Sequence, residues 1–435
     1  MASGVRTRLA GGTLVRPGCP VEETAALDIG ADGCVLPDPG GLATADETID
    51  VSGSVLLPGL VNAHTHAGMA VLRGLGDGLP LSEWLGVVQE VEGRLTHDEL
   101  YWSLQASLCE MIRNGTTAFA DMFFWDERLI DSVIASGMRV APAPAVFRPD
   151  ILAWGAAGGR RTRKQLARVE QLGTLYRDEP LVRVMYGPHT VYTCDEELLG
   201  DIAARAHVQG LGTHIHLSET VGEVKRCLGE HGVTPVGLAD RAGLLTERTL
   251  VAHGTWVTAD DCGILAERGC TVVHSPQSNL KLGAGIAPVV DLLESGVRVA
   301  LGTDGPASND ALDLFREMRL AASLQRGVNQ WPDVLSPDDV LSMATVRGSA
   351  GLGFGELRLD PGQPADLVVV AASGVRAMPM LSPRGYLCWS ATGHDVTDVF
   401  VAGRQLLRDG VVQTIDEERV VFEVGRIRDR LGLRA

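Results

Sequence analysis

The chain has 435 residues, of which 45% are hydrophobic and 21% are charged, and its formal net charge is −17. This is the composition of a globular protein with a sizeable core, and the length suits an α/β barrel with an appended domain. The acidic balance argues against nucleic acid or an anionic membrane as a partner, because both require basic patches that neutralise phosphate. We therefore expect a small-molecule substrate.

The cysteines and lysines narrow the chemistry further. The eight cysteines form no Cys-x-x-Cys pair, so we expect reduced, buried thiols. Only three residues are lysines, which argues against a lysine-based site. The first residues contain no apolar signal region, and no later run approaches the length of a membrane span. These observations predict a cytoplasmic protein.

The two ends of the chain have a similar pattern. Residues up to 57 contain short strand-like segments separated by glycine, proline and aspartate turns, and such segments return after residue 356. A segment of this kind is too small to form a core alone and must bury its apolar face on a partner. We predict that residues 1–57 and 356–435 together build a small β-sandwich, with a terminal helix from about residue 416.

Between residues 58 and 355 the pattern changes to apolar, β-branched strands that alternate with amphipathic helices. This alternation indicates parallel βαβ units, and eight of them predict a TIM-like (β/α)8 barrel with its site at the carboxyl ends of the strands. The predicted strands are Val55–Ala63, Thr116–Asp121, Arg139–Val146, Val182–Gly187, Gly212–Leu217, Thr249–Ala252, Cys270–His274 and Val297–Gly302.

Polar residues with metal-binding or acid/base chemistry follow these strands. His64 and His66 close the first strand, and side chains at positions i and i+2 of a strand point to the same side. For an isolated pair, a chance occurrence would be the simpler interpretation. Other strands, however, end in further candidates of the same kind, namely Asp121, His189, His216, His253, His274 and Asp304. Polar residues placed at random along the chain would not all lie at the same end of the barrel.

Several motifs together resemble the amidohydrolase superfamily. They are Pro-Gly-Leu-Val-Asn-Ala-His-Thr-His at 58–66, His-x-His-x-x-Glu at 214–219, Ala-His at 252–253, Ser-Asn-Leu-Lys-Leu-Gly at 278–283, Gly-Thr-Asp-Gly at 302–305 and Gly-Gln-Pro-Ala-Asp-Leu-Val-Val at 362–369. They are most similar to the branch that holds the S-adenosylhomocysteine and methylthioadenosine deaminases, the guanine deaminases and the chlorotriazine hydrolases. The resemblance covers nearly the whole chain.

The resemblance implies a metal site formed by His64, His66, His216 and Asp304. Three imidazoles and one carboxylate suit Zn²⁺, with Fe²⁺ as the alternative, and leave room for a water molecule that the metal activates. Binuclear members of the superfamily carry a carbamylated lysine on the fourth strand, and this strand has none. We therefore expect one metal ion per chain.

The catalytic groups that we expect are Glu219, His253 and Asp304. Glu219 lies three residues after His216, where a carboxylate could pass a proton from the water to a leaving amine. By similarity to the family, His253 polarises the attacked group or steadies the water, and Asp304 binds metal and accepts the proton of the water. An exposed loop position for Glu219 and a structural role for His253 are the alternatives.

The expected substrate contacts rest on weaker signals. His189 matches the family position that touches the ring or sugar of nucleoside-like substrates, Trp84 falls in a loop that covers the site in relatives, and Glu219 faces the reacting group. His274 is either a hydrogen-bonding neighbour of the site or part of the scaffold. Relatives that accept homocysteine nucleosides place an arginine in the third strand to grip the amino-acid carboxylate, whereas here Val140–Val146 contains none. Arg148 lies just after this stretch and Arg160 and Arg161 lie further on; any of them, or none, could take that role.

This set of residues predicts a metal-dependent deaminase that releases ammonia from an aminopurine nucleoside or a related amino-heterocycle. Chlorohydrolase-like relatives often lack the acid at position 219, since chloride leaves without a proton, so Glu219 favours deamination. The alternative is hydrolysis of a triazine, pterin or cyclic amide with another leaving group. A barrel that serves as a non-catalytic scaffold is a remote alternative, because the chain retains every ligand. Dimers are common among relatives, which favours a homodimer.

Overall fold

The computed structural model describes residues 5–23, 26–37, 44–148 and 158–433. The first strands belong to the chain-end domain and precede the barrel. They are β1 (Val5–Ala10), β2 (Thr13–Leu14), β3 (Glu22–Glu23), β4 (Ala26–Gly30), β5 (Ala45–Asp50) and β6 (Ser54–Pro58).

Eight parallel strands follow, ordered in the sheet as they are in the chain. They are β7 (Leu60–Thr65), β8 (Thr116–Phe123), β9 (Arg139–Val146), β10 (Met185–Pro188), β11 (Gly212–Leu217), β12 (Thr249–His253), β13 (Thr271–His274) and β14 (Arg298–Leu301). The last strand returns to the first, where the N–H of Asp304 donates to the carbonyl oxygen of His64 at 3.0 Å. The predicted (β/α)8 barrel is confirmed.

Helices connect the barrel strands and cover the sheet. They are a 3-10 helix (Ala67–Leu72), α1 (Leu81–Glu92), α2 (His97–Arg113), α3 (Glu127–Ser136), α4 (Gly158–Leu175), α5 (Glu196–Gln209), α6 (Val221–His231), α7 (Pro235–Arg241), α8 (Ala259–Glu267), α9 (Pro276–Lys281), α10 (Val289–Glu294), α11 (Pro306–Asn309), α12 (Leu314–Asn329), α13 (Pro337–Met343) and α14 (Val346–Gly351). Within the described ranges, none of the helices has the length and apolar character of a membrane span.

Local sequence signals set the ends of the longer helices. Thr96 and Glu99 form a capping box at the start of α2, in which each side chain accepts from the backbone N–H of the other residue. Asp126 caps α3, and Gly137 ends it in the left-handed conformation that glycine adopts without a steric penalty. These helices therefore begin and end where the sequence predicts.

The interior of the barrel is filled by small side chains. Ala118 and Ala120 of β8 and Ala141, Ala143 and Ala145 of β9 lie in one buried cluster, alternating with residues that face the helices. A strand covered on both faces can be apolar throughout, which explains the unbroken apolar runs in the sequence. The interior is thus a packed core, and the open space lies at the carboxyl ends of the strands.

The chain ends form two further sheets. The elements after the barrel are β15 (Leu367–Ala371), α15 (Pro383–Trp389), a 3-10 helix (Gly393–Asp395), β16 (Val396–Val401), β17 (Arg404–Arg408), β18 (Val411–Val412) and α16 (Glu417–Leu431). One sheet has the order β4-β1-β5 and the other has the order β18-β17-β16-β15-β6-β2-β3. Leu9 and Ile29 of the first pack with Leu56, Val369 and Phe400 of the second in one core. The predicted sandwich from both chain ends is confirmed, whereas the domain limits at residues 57 and 356 stay predictions.

A buried ion pair joins this domain to the barrel. The guanidinium of Arg139, at the start of β9, donates to both carboxylate oxygens of Asp366, at 2.6 and 2.9 Å. Asp366 also accepts from the backbone N–H of Ala402 at 2.8 Å. Both charged side chains are almost fully buried, so the pair is well placed to resist separation of the two parts.

Two sequence expectations were wrong in detail. The predicted first strand, Val55–Ala63, is two strands in different sheets, because the chain changes direction at Gly59, whose position leaves no room for a side chain beside Thr117. Trp84 lies on the helix α1 and not in a loop. Its neighbours explain this, since Trp84, Val88 and Val91 repeat at helical spacing and form the buried face.

Candidate metal centre and active site

Four side chains with metal-binding atoms meet at the carboxyl end of the barrel. His64 is the last but one residue of β7, His66 follows that strand, His216 is the last but one residue of β11, and Asp304 follows β14. Nε2 of His64 and Nε2 of His66 lie 3.4 and 3.2 Å from Oδ1 of Asp304. Nε2 of His216 lies 3.4 Å from Nε2 of His66. The strands therefore bring these donor atoms together in two compact groups that share His64, one with His66 and Asp304 and the other with His216 and His253.

Hydrogen bonds on the far side of each ring fix which nitrogen faces the other donor atoms. Nδ1 of His66 donates to the carbonyl oxygen of Met122 at 2.6 Å, and Nδ1 of His216 donates to the carbonyl oxygen of His189 at 2.9 Å. Because a carbonyl oxygen can only accept, the proton sits on Nδ1 and the lone pair sits on Nε2. Metal-binding histidines are oriented in this way.

The environment of His64 tests whether these residues fit a metal ion. Its Nδ1 lies 2.9 Å from Nε2 of His214, and its Nε2 is fully buried without a hydrogen-bond partner among the described residues. A buried ring nitrogen with no partner is costly unless a ligand satisfies it. Nitrogen donors with one carboxylate are the set that binds Zn²⁺ and similar divalent ions. The site fits a divalent metal.

Asp304 is held as an ionised carboxylate. Its Oδ2 accepts from the hydroxyl of Ser278 at 2.6 Å, and its Oδ1 accepts from the N–H of Gly305 at 2.8 Å. Burial alone would raise the pKa of Asp304, but the neighbouring imidazoles of His64, His66 and His253 hold it well below its usual range. The backbone φ of Asp304 is +60°, which few residues with a side chain adopt. Such strain is typical of functional positions.

Glu219 and His253 form a second group beside the donor atoms. Nε2 of His253 lies 3.7 Å from Oε1 of Glu219, and Nδ1 of His253 bonds to Oδ1 of Asn279 at 2.9 Å. Burial raises the pKa of Glu219. Burial by itself would lower the pKa of His253, but the carboxylates of Glu219 and Asp304 raise it above its ordinary value. Both shifts favour the protonated forms, so the two side chains together can hold a proton beside the donor atoms.

One cavity is lined by most of these groups, whereas the fully buried His64 is not among its lining residues. His66, His216, Glu219, His253 and Asp304 form its floor, as part of the lining. Apolar side chains form most of the wall, namely Met69, Leu81, Leu85, Val88, Met122, Phe123, Phe124, Ala145 and Leu282. A mostly apolar cavity with a few convergent polar groups is typical of a site for a flat organic ligand.

Five further residues complete the polar part of the lining, namely Trp84, Gln89, Glu92, His189 and Tyr192. Trp84 is buried in the wall, with its indole N–H donating to the carbonyl oxygen of Leu75 at 3.1 Å. His189 also lines the cavity, and burial lowers its pKa to about 3, so its ring is neutral. The buried acid Glu92, at the end of α1, lies in the same wall. The expected positions of Trp84 and His189 beside the site agree with this geometry.

Other expected contacts lie outside the lining of the cavity. The guanidinium of Arg148 is 3.9 Å from the carboxylate of Asp195. His274 is buried at the end of β13, and burial lowers its pKa to about 3. The side chains of Arg160 and Arg161 lie outside the described residues. Their roles as substrate contacts stay predictions.

Some residues of the site were not assigned from the sequence. His214 holds the ring of His64, Asn279 holds the ring of His253, and Glu92 stands in the cavity wall. The first two had a signal, because His214 belongs to the His-x-His motif and Asn279 to the Ser-Asn-Leu-Lys motif. Glu92 had none, since a glutamate near the end of an amphipathic helix is normally exposed.

Comparisons with known proteins agree with this geometry. The 5'-deoxyadenosine deaminase of Methanothermobacter thermautotrophicus is 39% identical over 383 residues, which is 87% of each chain. The 5-methylthioadenosine/S-adenosylhomocysteine deaminase of Dictyoglomus thermophilum is 40% identical over 382 residues, 87% of this chain and 88% of the relative. The crystal structure of an adenosine deaminase from Xanthomonas campestris with bound zinc has a TM-score of 0.94 at 31% identity, and the alignment covers 99% of this chain and 100% of that chain.

The sequence also matches the family model described as the amidohydrolase family, over residues 55–406. This range includes the whole barrel and all the donor atoms described above. The fold, the arrangement of the side chains and the relatives lead to one assignment. This chain belongs to the amidohydrolase family.

Proposed function

We propose that the protein is a zinc-dependent aminohydrolase that replaces the exocyclic amino group of an adenine-type nucleoside by oxygen and releases ammonia. The observation that carries the proposal is the single cavity in which Glu219 and His253 face the donor atoms. The relatives named above are deaminases of adenosine-type nucleosides, which supports the same reaction class.

We assign His64, His66, His216 and Asp304 as the ligands of one metal ion. The unpartnered Nε2 of His64 and the fixed orientation of the other two rings support this set. A bound zinc ion would supply Lewis acidity, which makes water a nucleophile near neutral pH. Fe²⁺ fits the same donors and is the alternative metal.

In the proposed reaction Glu219 moves the proton. Its carboxylate accepts a proton from the attacking water, and its carboxylic acid form then gives that proton to the amino nitrogen as the carbon–nitrogen bond breaks. Burial raises the pKa of Glu219, which favours the carboxylic acid form that the second transfer needs. The ionised Asp304 accepts the second proton of the water as the new carbonyl group forms, and this proton ends on the ring nitrogen beside the attacked carbon, which leaves Asp304 ionised again. Water and the amino compound thus become the carbonyl compound and ammonia.

His253 and Asn279 act on the incoming oxygen. The bond from Nδ1 of His253 to Asn279 fixes the ring, so that Nε2 faces Glu219 and the reacting group. A raised pKa favours the protonated ring, which stabilises negative charge that develops on that oxygen. Substituting Asn279 would therefore affect the reaction through His253.

The wall of the cavity favours a nucleoside with a small, uncharged 5′ group. Neither arginine nor lysine occurs among the described residues that line it. The arginine of the third strand, Arg139, lies at the opposite end and is paired with Asp366. Glu92, in contrast, is a buried acid that suits the hydroxyl groups of a ribose. His189 and Trp84 are the expected neighbours of the ring and sugar.

The test combines metal analysis with ammonia release. We expect one zinc or iron ion per chain, and ammonia from adenosine, 5′-deoxyadenosine and methylthioadenosine in preference to S-adenosylhomocysteine. Triazines, pterins and cyclic amides serve as the panel for other leaving groups. Bound metal without ammonia release from any nucleoside would refute the proposed deaminase activity. A preference for S-adenosylhomocysteine would refute the inference, drawn from the residues of the cavity wall, that the 5′ group is small and uncharged. A homodimer and a cytoplasmic location remain predictions from the sequence.

A further inference from the structure

The loop that carries Glu219 contains a strained turn. It follows β11, and the backbone φ of Ser218 is +52°, in the left-handed region. A residue with a Cβ atom is strained in this region and needs support from its surroundings. The carbonyl oxygen of Ser218 accepts from the N–H of Trp256 at 2.8 Å, which anchors only one side of the turn.

Glu223 anchors the other side. It lies in the first turn of α6, and its Oε1 accepts from the N–H of Ser218 at 3.2 Å while its Oε2 accepts from the N–H of Glu219 at 2.7 Å. The carboxylate therefore bonds two successive amide groups of the turn. The side chain is buried and forms no ion pair with any described residue. The N–H of Thr220, the residue that caps α6, also donates to this carboxylate, and the hydroxyl of Thr220 accepts from the N–H of Glu223 at 3.1 Å.

This arrangement requires a carboxylate and not merely a polar side chain. Both oxygens of an ionised Glu accept, whereas an amide would turn its NH₂ group towards one of the two N–H donors. The position is also costly, because burial and the nearby charge of Glu219 raise the pKa of Glu223 to about 7. The positive end of α6 offsets part of that cost. An acid kept at such a cost beside a reacting acid indicates a functional role.

We propose that Glu223 is a positioning residue, whose bidentate hold on the Ser218–Glu219 turn keeps the carboxyl group of Glu219 directed at His253 and the cavity. The proposal rests on the function proposed above for Glu219. Glu223 is neither one of the donor residues nor itself a residue of the cavity lining, which it contacts through Glu219. It therefore acts on the proton-transfer step alone and leaves metal binding and substrate affinity in place.

The kinetic test is a double-mutant cycle. Glu223→Gln should lower kcat about 10- to 100-fold, since a displacement of a reacting group by about 1 Å has effects of that size, with KM and metal content close to wild type. In a Glu219→Gln background, which has already lost the proton carrier, Glu223→Gln should have little further effect. Equal losses in both backgrounds would show a general structural role and overturn the proposal.

A matched control separates the expected fall of kcat from the general effect of removing an acidic residue from the first turn of a helix. Asp261 occupies the same kind of position in α8, where its Oδ2 accepts from the N–H of Thr258 at 2.9 Å, and it is buried as well. Asp261→Asn should lower the stability of the protein but leave kcat unchanged. A similar fall of kcat in Asp261→Asn would also overturn the proposal.

Amide hydrogen exchange gives a readout that does not need turnover. In Glu223→Ala, peptides that contain Ser218 and Glu219 should exchange faster than in wild type, while peptides of β11 before them keep their protection. Unchanged exchange at the turn would refute the hold by Glu223. If wild type releases no ammonia from any nucleoside, the proposed function fails, and the exchange result still decides whether Glu223 holds the turn.

Discussion

Gly302 allows the eighth barrel strand to close against the first, and alanine at this position should disturb the metal centre. A Cβ atom on Gly302 would lie 2.8 Å from the carbonyl oxygen of His64, 2.9 Å from its backbone nitrogen and 2.8 Å from Cγ1 of Val273. Ordinary contacts begin at 3.4 Å, and backbone atoms cannot rotate away. The two strands must therefore separate by about half an ångström. Catalytic and metal-binding side chains must be held in position to within about this distance.

The expected loss in Gly302→Ala can be bounded from this displacement. His64 and Asp304 are carried by the two strands that move apart, so the distance between their donor atoms increases. We expect metal affinity and turnover each to fall about 10- to 100-fold, and overpacking to cost about 1–3 kcal/mol of unfolding free energy. Competition with a chelator measures the affinity, and ammonia release measures the turnover.

The control substitutes alanine for a glycine that lies within a helix and has free space around it. A Cβ atom on Gly263 of α8 meets no atom within 4 Å, and its φ is not positive. Gly263→Ala should keep metal and turnover and stabilise the protein by about 0.4–1 kcal/mol. Wild-type metal affinity in Gly302→Ala would refute the reasoning, because it would show that the strand contact does not set the geometry of the donors.

Three other substitutions test the assignments separately. Glu219→Gln should keep the metal and lower turnover about 100- to 10,000-fold, as expected for a lost acid/base group, and a near-wild-type rate would remove Glu219 from the reaction. His216→Ala should lower the metal content measured by elemental analysis, and full occupancy would refute its role as a ligand. Asp366→Ala should lower the free energy of unfolding, measured with denaturant, by about 3–5 kcal/mol, because it leaves the buried charge of Arg139 unpaired; a change below 1 kcal/mol would show that water reaches the guanidinium.

The fold was predictable where periodicity and capping agree. The eight barrel strands and the long helices combine apolar runs with clear end signals, as in α3, which begins after Asp126 and ends at Gly137. Short helices such as α9 and α11 were not predicted, because a helix of four to six residues has too few turns to show a period. Their prolines at the first position were the only local signal.

The site was predictable to the extent that its residues belong to motifs. His64, His66, His216 and Asp304 end or follow strands, and parallel strands bring their carboxyl ends to one rim whatever the exact loops are. The side chains that hold these residues in position come from neighbouring strands, and their identity depends on which residues lie opposite each other across the strands. The contact of His214 with His64, for example, joins residues 150 positions apart, and no local pattern encodes it.

The change of sheet at Gly59 has a consequence for synthesis. β6 lies between β2 and β15 in its sheet, and Val55 pairs with Val370. That partner leaves the ribosome some three hundred residues later, roughly 15 to 60 s at ordinary elongation rates. During this interval the edge of β6 that includes Leu56 and Leu57 has no strand to pair with. The nascent chain therefore carries an open apolar edge for most of its translation, and such an edge is a template for pairing with another chain.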